Sequence, residues 1–365
     1  MIQQIIRLAL LLTGSLHAQS TPETAQNMLL SEELDSQQLS TIYALTAQLP
    51  IGAQVAVALI DGDQTHYYGA VREREKVTQI DNRQKAFGIG SITKVFTGIL
   101  LADAVMDGRV RLKDSVSTAY DFPFGEGIDF TYGQLATHTS GLPRLPNNMP
   151  GAILNPGDPY GNYTPEKLQA YLRKRISQHR PGEEAYSNLG FGLLGYTLTH
   201  QLQENTLAAA LQESIFDPLG MQHTSLGPDS SRAELAVGYK KGGKKAAYWH
   251  FTDAMAGAGA IVSTPEDLVL FLRAQLDDKN EVLALTRRPI YQSSERSSKG
   301  LGWAILKTEK GNHLYWHNGG VGGYSSFAGI IVERQLGVVV LASTLFRGDE
   351  VDQTAFALLR SLTAK

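Results

Sequence analysis

Two kinds of hydrophobic pattern divide the chain. Apolar or alternating runs near both ends predict strands, and apolar residues at helical spacing between them predict helices. The strands are expected at about 54–61, 65–71, 301–307, 312–317, 325–332 and 337–343. The helices are expected to begin near Ser91, Tyr132, Thr164, Asn188, Thr206 and Ser263, with a last helix over about 349–361. The simplest arrangement is an α+β fold in α/β/α layers, in which N- and C-terminal strands form one antiparallel sheet and a helical region of about 91–280 is inserted.

The helix that begins at Ser91 is apolar on nearly every face. Lys94 is the single charged residue between Ser91 and Ala102. Residues three apart share a helix face, so the Lys94 amine can reach the Ser91 hydroxyl. Burial lowers the pKa of a lysine and makes a neutral amine available as a base, which predicts an activated serine nucleophile. The alternative is that Ser91 only caps the helix, and the bare Ser-x-x-Lys spacing does not decide between the two.

Tyr186 and Asn188 lie just before another predicted helix. A tyrosine beside a buried ammonium can lose or share its proton and act as a general base, and an asparagine can both donate to and accept from an amide substrate. The alternative is that Tyr186 packs and Asn188 caps the helix. A second Tyr-x-Asn, at Tyr160 and Asn162, means that the tripeptide alone is a weak signal.

A glycine-rich segment, His317 to Tyr324, is expected between the end of one strand and the start of the next. Small residues such as Gly319 let a substrate approach the backbone closely. The N–H groups of Gly320 and Ser91 could together stabilise an oxyanion. The alternative is a glycine-rich connection with an incidental histidine.

Composition narrows the chemistry further. The chain has 365 residues, 42% hydrophobic and 19% charged, with a net charge of −3 and no cysteine. A near-neutral charge gives no electrostatic footprint for nucleic acid, and the lack of cysteine excludes disulfides and thiolate chemistry. The G-x-G-x-x-G at 190–195 follows no strand, and no G-x-S-x-G occurs. The histidines show no metal-ligand spacing, so neither a metal nor another cofactor is expected.

The N-terminus is typical of a secretory signal peptide, 1–18, with a plausible cleavage site at Leu16 to Ala18. The alternative is a short N-terminal core helix. No other segment is long and apolar enough to cross a bilayer, so the mature chain, 19–365, is expected to be one hydrolase domain that is secreted or periplasmic.

The three motifs together resemble the penicillin-recognising serine hydrolases. Ser91-x-x-Lys94, Tyr186-x-Asn188 and His317-x-Gly319 occur in that family's order. The segments 135–143, 258–268 and 300–303 are also similar to the branch that holds class C β-lactamases, DD-carboxypeptidases/endopeptidases, D-aminopeptidases and related esterases. The resemblance covers about 40–362 and implies a β-lactamase/transpeptidase-like fold.

The resemblance also implies roles for these residues. Ser91 would be acylated, Lys94 and Tyr186 would share the proton transfers, and Asn188 would bind the substrate amide. The N–H groups of Ser91 and Gly320 would hold the oxyanion.

His317 stands where β-lactamases and carboxypeptidases of this kind usually carry a lysine that holds the substrate carboxylate. A histidine is mostly neutral at pH 7, so hydrolysis of carboxylate-bearing substrates is expected to be weaker and to improve toward pH 6.

The function expected from the sequence is an exported peptidase acting through a Ser91 acyl-enzyme on D-amino-acid peptides of the cell-wall type. The substrate would be a peptide, a β-lactam or an ester, with peptidoglycan as a candidate partner, no nucleic acid partner and no transmembrane segment in the mature chain. One alternative is a weak class C-like β-lactamase or an esterase. Another is a non-catalytic module that binds penicillin or senses peptidoglycan.

Overall fold

A nine-stranded antiparallel sheet organises the computed structural model, which describes residues 33–150, 154–346 and 348–363. The strand order is β3-β2-β1-β12-β11-β10-β9-β8-β7, and β4, β6 and β5 form a small second sheet. The strands are β1 Gln54–Asp61, β2 Gln64–Arg72, β3 Val77–Ile80, β4 Phe87–Gly88, β5 Ser225–Leu226, β6 Ile261–Ser263, β7 Tyr291–Gln292, β8 Ser297–Lys299, β9 Ala304–Lys307, β10 His313–Val321, β11 Tyr324–Ile331 and β12 Leu336–Ala342.

Helices cover both faces of the sheet. They are α1 Ser36–Ala47, α2 Thr93–Met106, α3 Tyr132–Ala136, α4 Pro165–Lys174, α5 Asn188–Gln201, α6 Leu207–Leu211, α7 Asp217–Leu219, α8 Asp253–Ala256, α9 Pro265–Leu276, α10 Glu281–Arg287 and α11 Glu350–Thr363. A π-helical turn, Gln212–Phe216, links α6 to α7, so the helix predicted from Thr206 continues through that turn. Across the described ranges, no helix has the length and apolar character needed to span a bilayer. The predicted signal peptide lies outside the described residues.

Strand β1 shows why the sheet is covered on both sides. Successive side chains of a strand point to opposite faces. Val55, Val57 and Leu59 enter a core with α1 and α11, whereas Ala56 and Ala58 enter a larger core with the helical region. The pairing of β1 with β12 joins the two ends of the chain. The predicted antiparallel sheet built from both termini, with helices inserted between them, is therefore confirmed.

Strand β10 departs from the expectation. His317 was expected at a strand end, but β10 continues to Val321 and pairs with β11 along that length, with His317 opposite Ala328 and Gly320 opposite Ser325. Strand β9 pairs with β10 only as far as Trp316. Gly319 and Gly320 therefore lie in β10 itself. Beyond Trp316, the edge of β10 that faces away from β11 has no strand neighbour among the described residues.

Candidate active site

Ser91 lies in a tight turn before α2. A 3₁₀ turn, Gly90–Ile92, precedes α2, whose N-cap is Ile92, and neither turn nor helix has a side-chain cap. The Ser91 hydroxyl is thus not used as a helix cap, which disfavours the structural alternative. The turn has a left-handed residue, Gly90, with φ +50°, and a Cβ there would lie 2.7 Å from the Gly320 nitrogen. Glycine at this position lets strand β10 approach the turn that carries the hydroxyl.

Lys94 and Tyr186 both reach the Ser91 oxygen. Lys94 Nζ lies 2.9 Å from Ser91 Oγ, and the Tyr186 hydroxyl lies 2.7 Å from the same atom. Lys94 Nζ also donates to Asn188 Oδ1 at 3.0 Å and to the Ala258 carbonyl at 2.7 Å. The side chain is fully buried, and no carboxylate in the described residues pairs with it. Burial, with a smaller contribution from the Arg144 charge, holds the pKa of Lys94 well below its usual value.

Tyr186 is held as a neutral phenol. Burial raises the pKa of Tyr186 to about 12, although the hydrogen bond to Ser91 acts in the opposite direction. Of the two possibilities left open by the sequence, a lost proton is disfavoured and a shared proton is favoured. His138 lies against this ring at a centroid distance of 4.3 Å, and its Nδ1 accepts from the Ser187 backbone N–H at 3.1 Å. Since burial also holds the pKa of His138 well below its usual range, a neutral histidine positions the phenol.

Both ends of the Asn188 amide are occupied. Oδ1 accepts from Lys94, and Nδ2 donates to the Tyr160 hydroxyl at 2.9 Å. The Tyr160 ring stacks on Phe251 at 4.6 Å, which fixes the loop that carries it. Sequence reasoning treated the second Tyr-x-Asn as a rival of the first. In the structure Tyr160 instead extends the same hydrogen-bond network.

Strand β10 forms the opposite side of the site. His317 Nδ1 lies 2.6 Å from the Asn318 carbonyl. Because a carbonyl can only accept, Nδ1 carries the proton, and in the neutral ring Nε2 is then an acceptor. Burial, followed by the nearby Lys94 charge, lowers the pKa of His317 to about 3. The expectation that His317 gains charge near pH 6 is therefore wrong, because the sequence did not reveal this burial. A Cβ on Gly319 would lie 2.0 Å from the Ile89 carbonyl, so only glycine fits there.

Four further ionisable groups lie around the site. The Arg144 guanidinium lies 5.1 Å from the Tyr186 ring centroid and has no carboxylate partner among the described residues. Lys299 is paired with Glu184 at 3.0 Å. Behind β10, Asp352 accepts from Asn318 Nδ2 at 2.7 Å, and burial raises the pKa of Asp352 to about 7. The sequence analysis singled out none of these groups.

One cavity in the described structure lies away from the serine. It has a volume of about 350 Å³ and is lined by residues of β1–β3 and the segment after them, including Tyr67, Asn82 and Arg83. The Arg83 guanidinium there is already paired with Asp81. None of the predicted site residues lines this cavity.

One known protein family matches most of the chain. A model of the beta-lactamase family matches residues 47–362. The chain belongs to the beta-lactamase family. This beta-lactamase family member is therefore a penicillin-recognising serine hydrolase.

Two curated relatives and one solved structure illustrate the membership. The chain is 28% identical over 320 residues to the D-alanyl-D-alanine-carboxypeptidase/endopeptidase AmpH of Escherichia coli, covering 80% of each chain. It is 25% identical over 365 residues to an E. coli beta-lactamase, covering 88% of this chain and 92% of the relative. A class C beta lactamase from Rhodobacter sphaeroides superimposes with a TM-score of 0.74 at 21% identity, over 90% of this chain and 100% of that one. At that identity the last comparison shows the fold alone.

Proposed function

We propose that this serine hydrolase forms an acyl-enzyme at Ser91 and cleaves amide bonds of D-amino-acid peptides of the cell-wall type. The observation that carries the proposal is the position of Ser91 Oγ, which lies within hydrogen-bond distance of both Lys94 Nζ and the Tyr186 hydroxyl. A nucleophile with a base and a second proton carrier in contact is the arrangement that acyl transfer needs.

The two pKa shifts support different roles for Lys94 and Tyr186. A neutral Lys94 amine accepts the Ser91 proton as Oγ bonds to the substrate carbonyl carbon. The neutral Tyr186 phenol donates its proton to the leaving nitrogen as the carbon–nitrogen bond breaks, and the Lys94 ammonium then protonates the resulting phenolate. Water then attacks the ester, Lys94 accepts the proton of that water through the same network, and Ser91 regains its hydrogen.

The remaining predicted site residues have binding roles in this proposal. The backbone N–H groups of Ser91 and Gly320 stabilise the oxyanion, and the close packing of Gly90 on the Gly320 nitrogen supports their proximity. Asn188 Oδ1 accepts from Lys94. Asn188 Nδ2 exchanges its bond to the Tyr160 hydroxyl for one to the substrate amide. His317 Nε2 accepts a substrate N–H, and Gly319 permits the close approach of the peptide.

The relatives favour two substrate classes. Similarity to AmpH supports carboxypeptidase or endopeptidase activity, and similarity to an E. coli beta-lactamase supports a weak class C-like β-lactamase or an esterase as the second candidate. The apolar N-terminal run supports export to the periplasm or the exterior, where peptidoglycan is the natural polymer of this chemistry. A non-catalytic penicillin-binding module is disfavoured by the fully connected proton network.

Intact-mass measurement after incubation with a fluorophosphonate or a penicillin tests the nucleophile. The wild type is expected to gain one adduct, and Ser91→Ala none. Ser294→Ala, which removes an exposed serine on another loop, is the control and is expected to label like the wild type. An adduct that persists on Ser91→Ala would overturn the assignment. A penicillin adduct that is never hydrolysed, with no turnover of any peptide or ester, would favour the binding module.

A further inference from the structure

A short hairpin, Tyr239–Lys245, carries four lysines within six residues: Lys240, Lys241, Lys244 and Lys245. Its backbone is hydrogen-bonded across the turn, with the Lys240 N–H donating to the Lys244 carbonyl at 2.8 Å and the Gly243 N–H to the Lys240 carbonyl at 2.8 Å. The Tyr239 N–H donates to the Ser343 carbonyl next to β12 at 2.9 Å. The hairpin is therefore a fixed arm of the fold.

All four lysines are exposed and lack a carboxylate partner within the part of the chain that the structure describes. Other lysines of the protein do find partners, such as Lys85 with Glu234 at 2.7 Å and Lys299 with Glu184 at 3.0 Å. Four like charges on one turn repel one another, and an external anion relieves that repulsion. A run of charge is most often a merely solvated surface, so a second feature is needed to suggest a partner.

That second feature is an exposed isoleucine beside the lysines. A Cβ on Gly243 would lie 4.0 Å from Pro50, and the Tyr239 hydroxyl lies 2.6 Å from the Cβ position of Gly52. The hairpin thus packs on the 50–52 turn, and Ile51 at its centre is 58% exposed. A single exposed isoleucine is common on a protein surface, but this one lies on the turn against which the lysine hairpin packs. This combination is favourable where lysines meet phosphate groups and an apolar side chain enters the boundary with the acyl chains.

We propose that the lysine hairpin and Ile51 form a docking surface for an anionic lipid bilayer. A soluble polyanion would satisfy the lysines but would leave Ile51 without a function, so the lipid surface is the better fit. The base of the hairpin also contacts the end of β10. A Cβ on Gly323 would lie 2.8 Å from Ala246, and a Cβ on Gly322 would lie 2.5 Å from the Ala247 carbonyl. Docking through the hairpin therefore holds the substrate-facing strand of the enzyme close to the membrane surface.

Vesicle sedimentation of the mature chain, 19–365, tests this docking. Vesicles of phosphatidylcholine with about 30% phosphatidylglycerol are compared with pure phosphatidylcholine at about 0.1 M and 0.5 M salt. The wild type is expected to bind only the anionic vesicles and to be released by salt. Replacing the four hairpin lysines by glutamine is expected to weaken binding by about tenfold or more, since each lysine contributes separately. Ile51→Ser is expected to weaken binding to the vesicles but not to soluble polyglutamate.

The matched control replaces four exposed lysines elsewhere, Lys113, Lys174, Lys279 and Lys310, by glutamine, which changes the net charge equally. This control is expected to bind vesicles within about twofold of the wild type, because attraction to a surface falls off within a Debye length. If both quadruple variants lost vesicle binding equally, net charge alone would explain the binding and the proposal would be overturned. Full binding by the hairpin variant, or an Ile51→Ser variant that binds like the wild type, would overturn it too. Hydrolysis of a soluble ester by every variant shows that the enzyme remains folded.

Discussion

The two sides of the site differ in how their polar groups are satisfied. On the helical wall, made by Ser91, Lys94, Tyr186 and Asn188, each side chain bonds to another member of the set. On the strand wall, which is the 317–320 segment of β10, the described residues give His317 Nε2 no partner. The difference indicates a division of labour. In the proposed mechanism, the helical wall moves protons through bonds that are already made, and the strand wall offers His317 Nε2 to the substrate.

Removing the buried amine should break the helical wall most severely. Lys94→Met keeps the volume but deletes the base, and we expect kcat/KM for an ester substrate to fall about 10³-fold. Lys85→Met, at a lysine paired on the surface with Glu234, is the control and should remain within about twofold. Steady-state kinetics at pH 7 and a melting curve of each variant provide the measurement. Activity of Lys94→Met within tenfold of the wild type would transfer the base role to another group.

Displacing the strand wall should have the next largest effect. In Gly319→Ala the new Cβ would lie 2.0 Å from the Ile89 carbonyl, so β10 must move away from the nucleophile turn. A displacement of about 1 Å costs about 100-fold in kcat/KM, and the overpacking costs about 1–3 kcal/mol of stability. Gly242→Ala is the control because a Cβ there meets nothing within 4 Å. If Gly319→Ala is as active as the control, the position of the strand wall does not determine the rate.

A smaller change tests how far the helical network extends. Tyr160→Phe keeps the stack on Phe251 but removes the hydroxyl that accepts from Asn188 Nδ2. Loss of one such hydrogen bond is worth about 0.5–1.5 kcal/mol, so kcat/KM should change by about twofold to tenfold. Tyr163→Phe, which removes a hydroxyl bonded to Asn148 on the same loop, should leave the rate unchanged. Identical kinetics for the two variants would show that the functional network ends at Asn188.

The smallest expected effect lies behind the strand wall and depends on pH. The pKa of Asp352 is raised to about 7, so the folded protein retains a proton there that the unfolded chain has already released. The neighbouring Asp349 and Glu350 act in the same direction. Stability should therefore fall as the pH rises through about 4 to 7. Asp352→Asn should remove this dependence, and its Tm should exceed that of the wild type by a few degrees at pH 8 but not at pH 5. Parallel melting profiles of the two proteins would show that Asp352 keeps an ordinary pKa in the folded state.

Much of this site could be predicted because its residues occur in local patterns. The apolar faces around Lys94 predicted burial, and the spacing of Ser91 and Lys94 predicted their contact. The same reasoning missed the contribution of Tyr160 and the bond between Asp352 and Asn318. Those contacts join segments far apart in the sequence. Each of the residues involved is of a polar type that usually lies on the protein surface, so nothing in its local sequence marks it as part of the site.

The sequence by itself determined the antiparallel sheet of the two termini, the buried helix that begins beside Ser91, and the contact between Ser91 and Lys94. Periodicity and residue size carry that information because they act over short stretches of chain. Only the tertiary structure decided the protonation of the site. It buried His317 enough to keep the ring neutral and buried Lys94 without a carboxylate, because desolvation depends on everything that packs around a group.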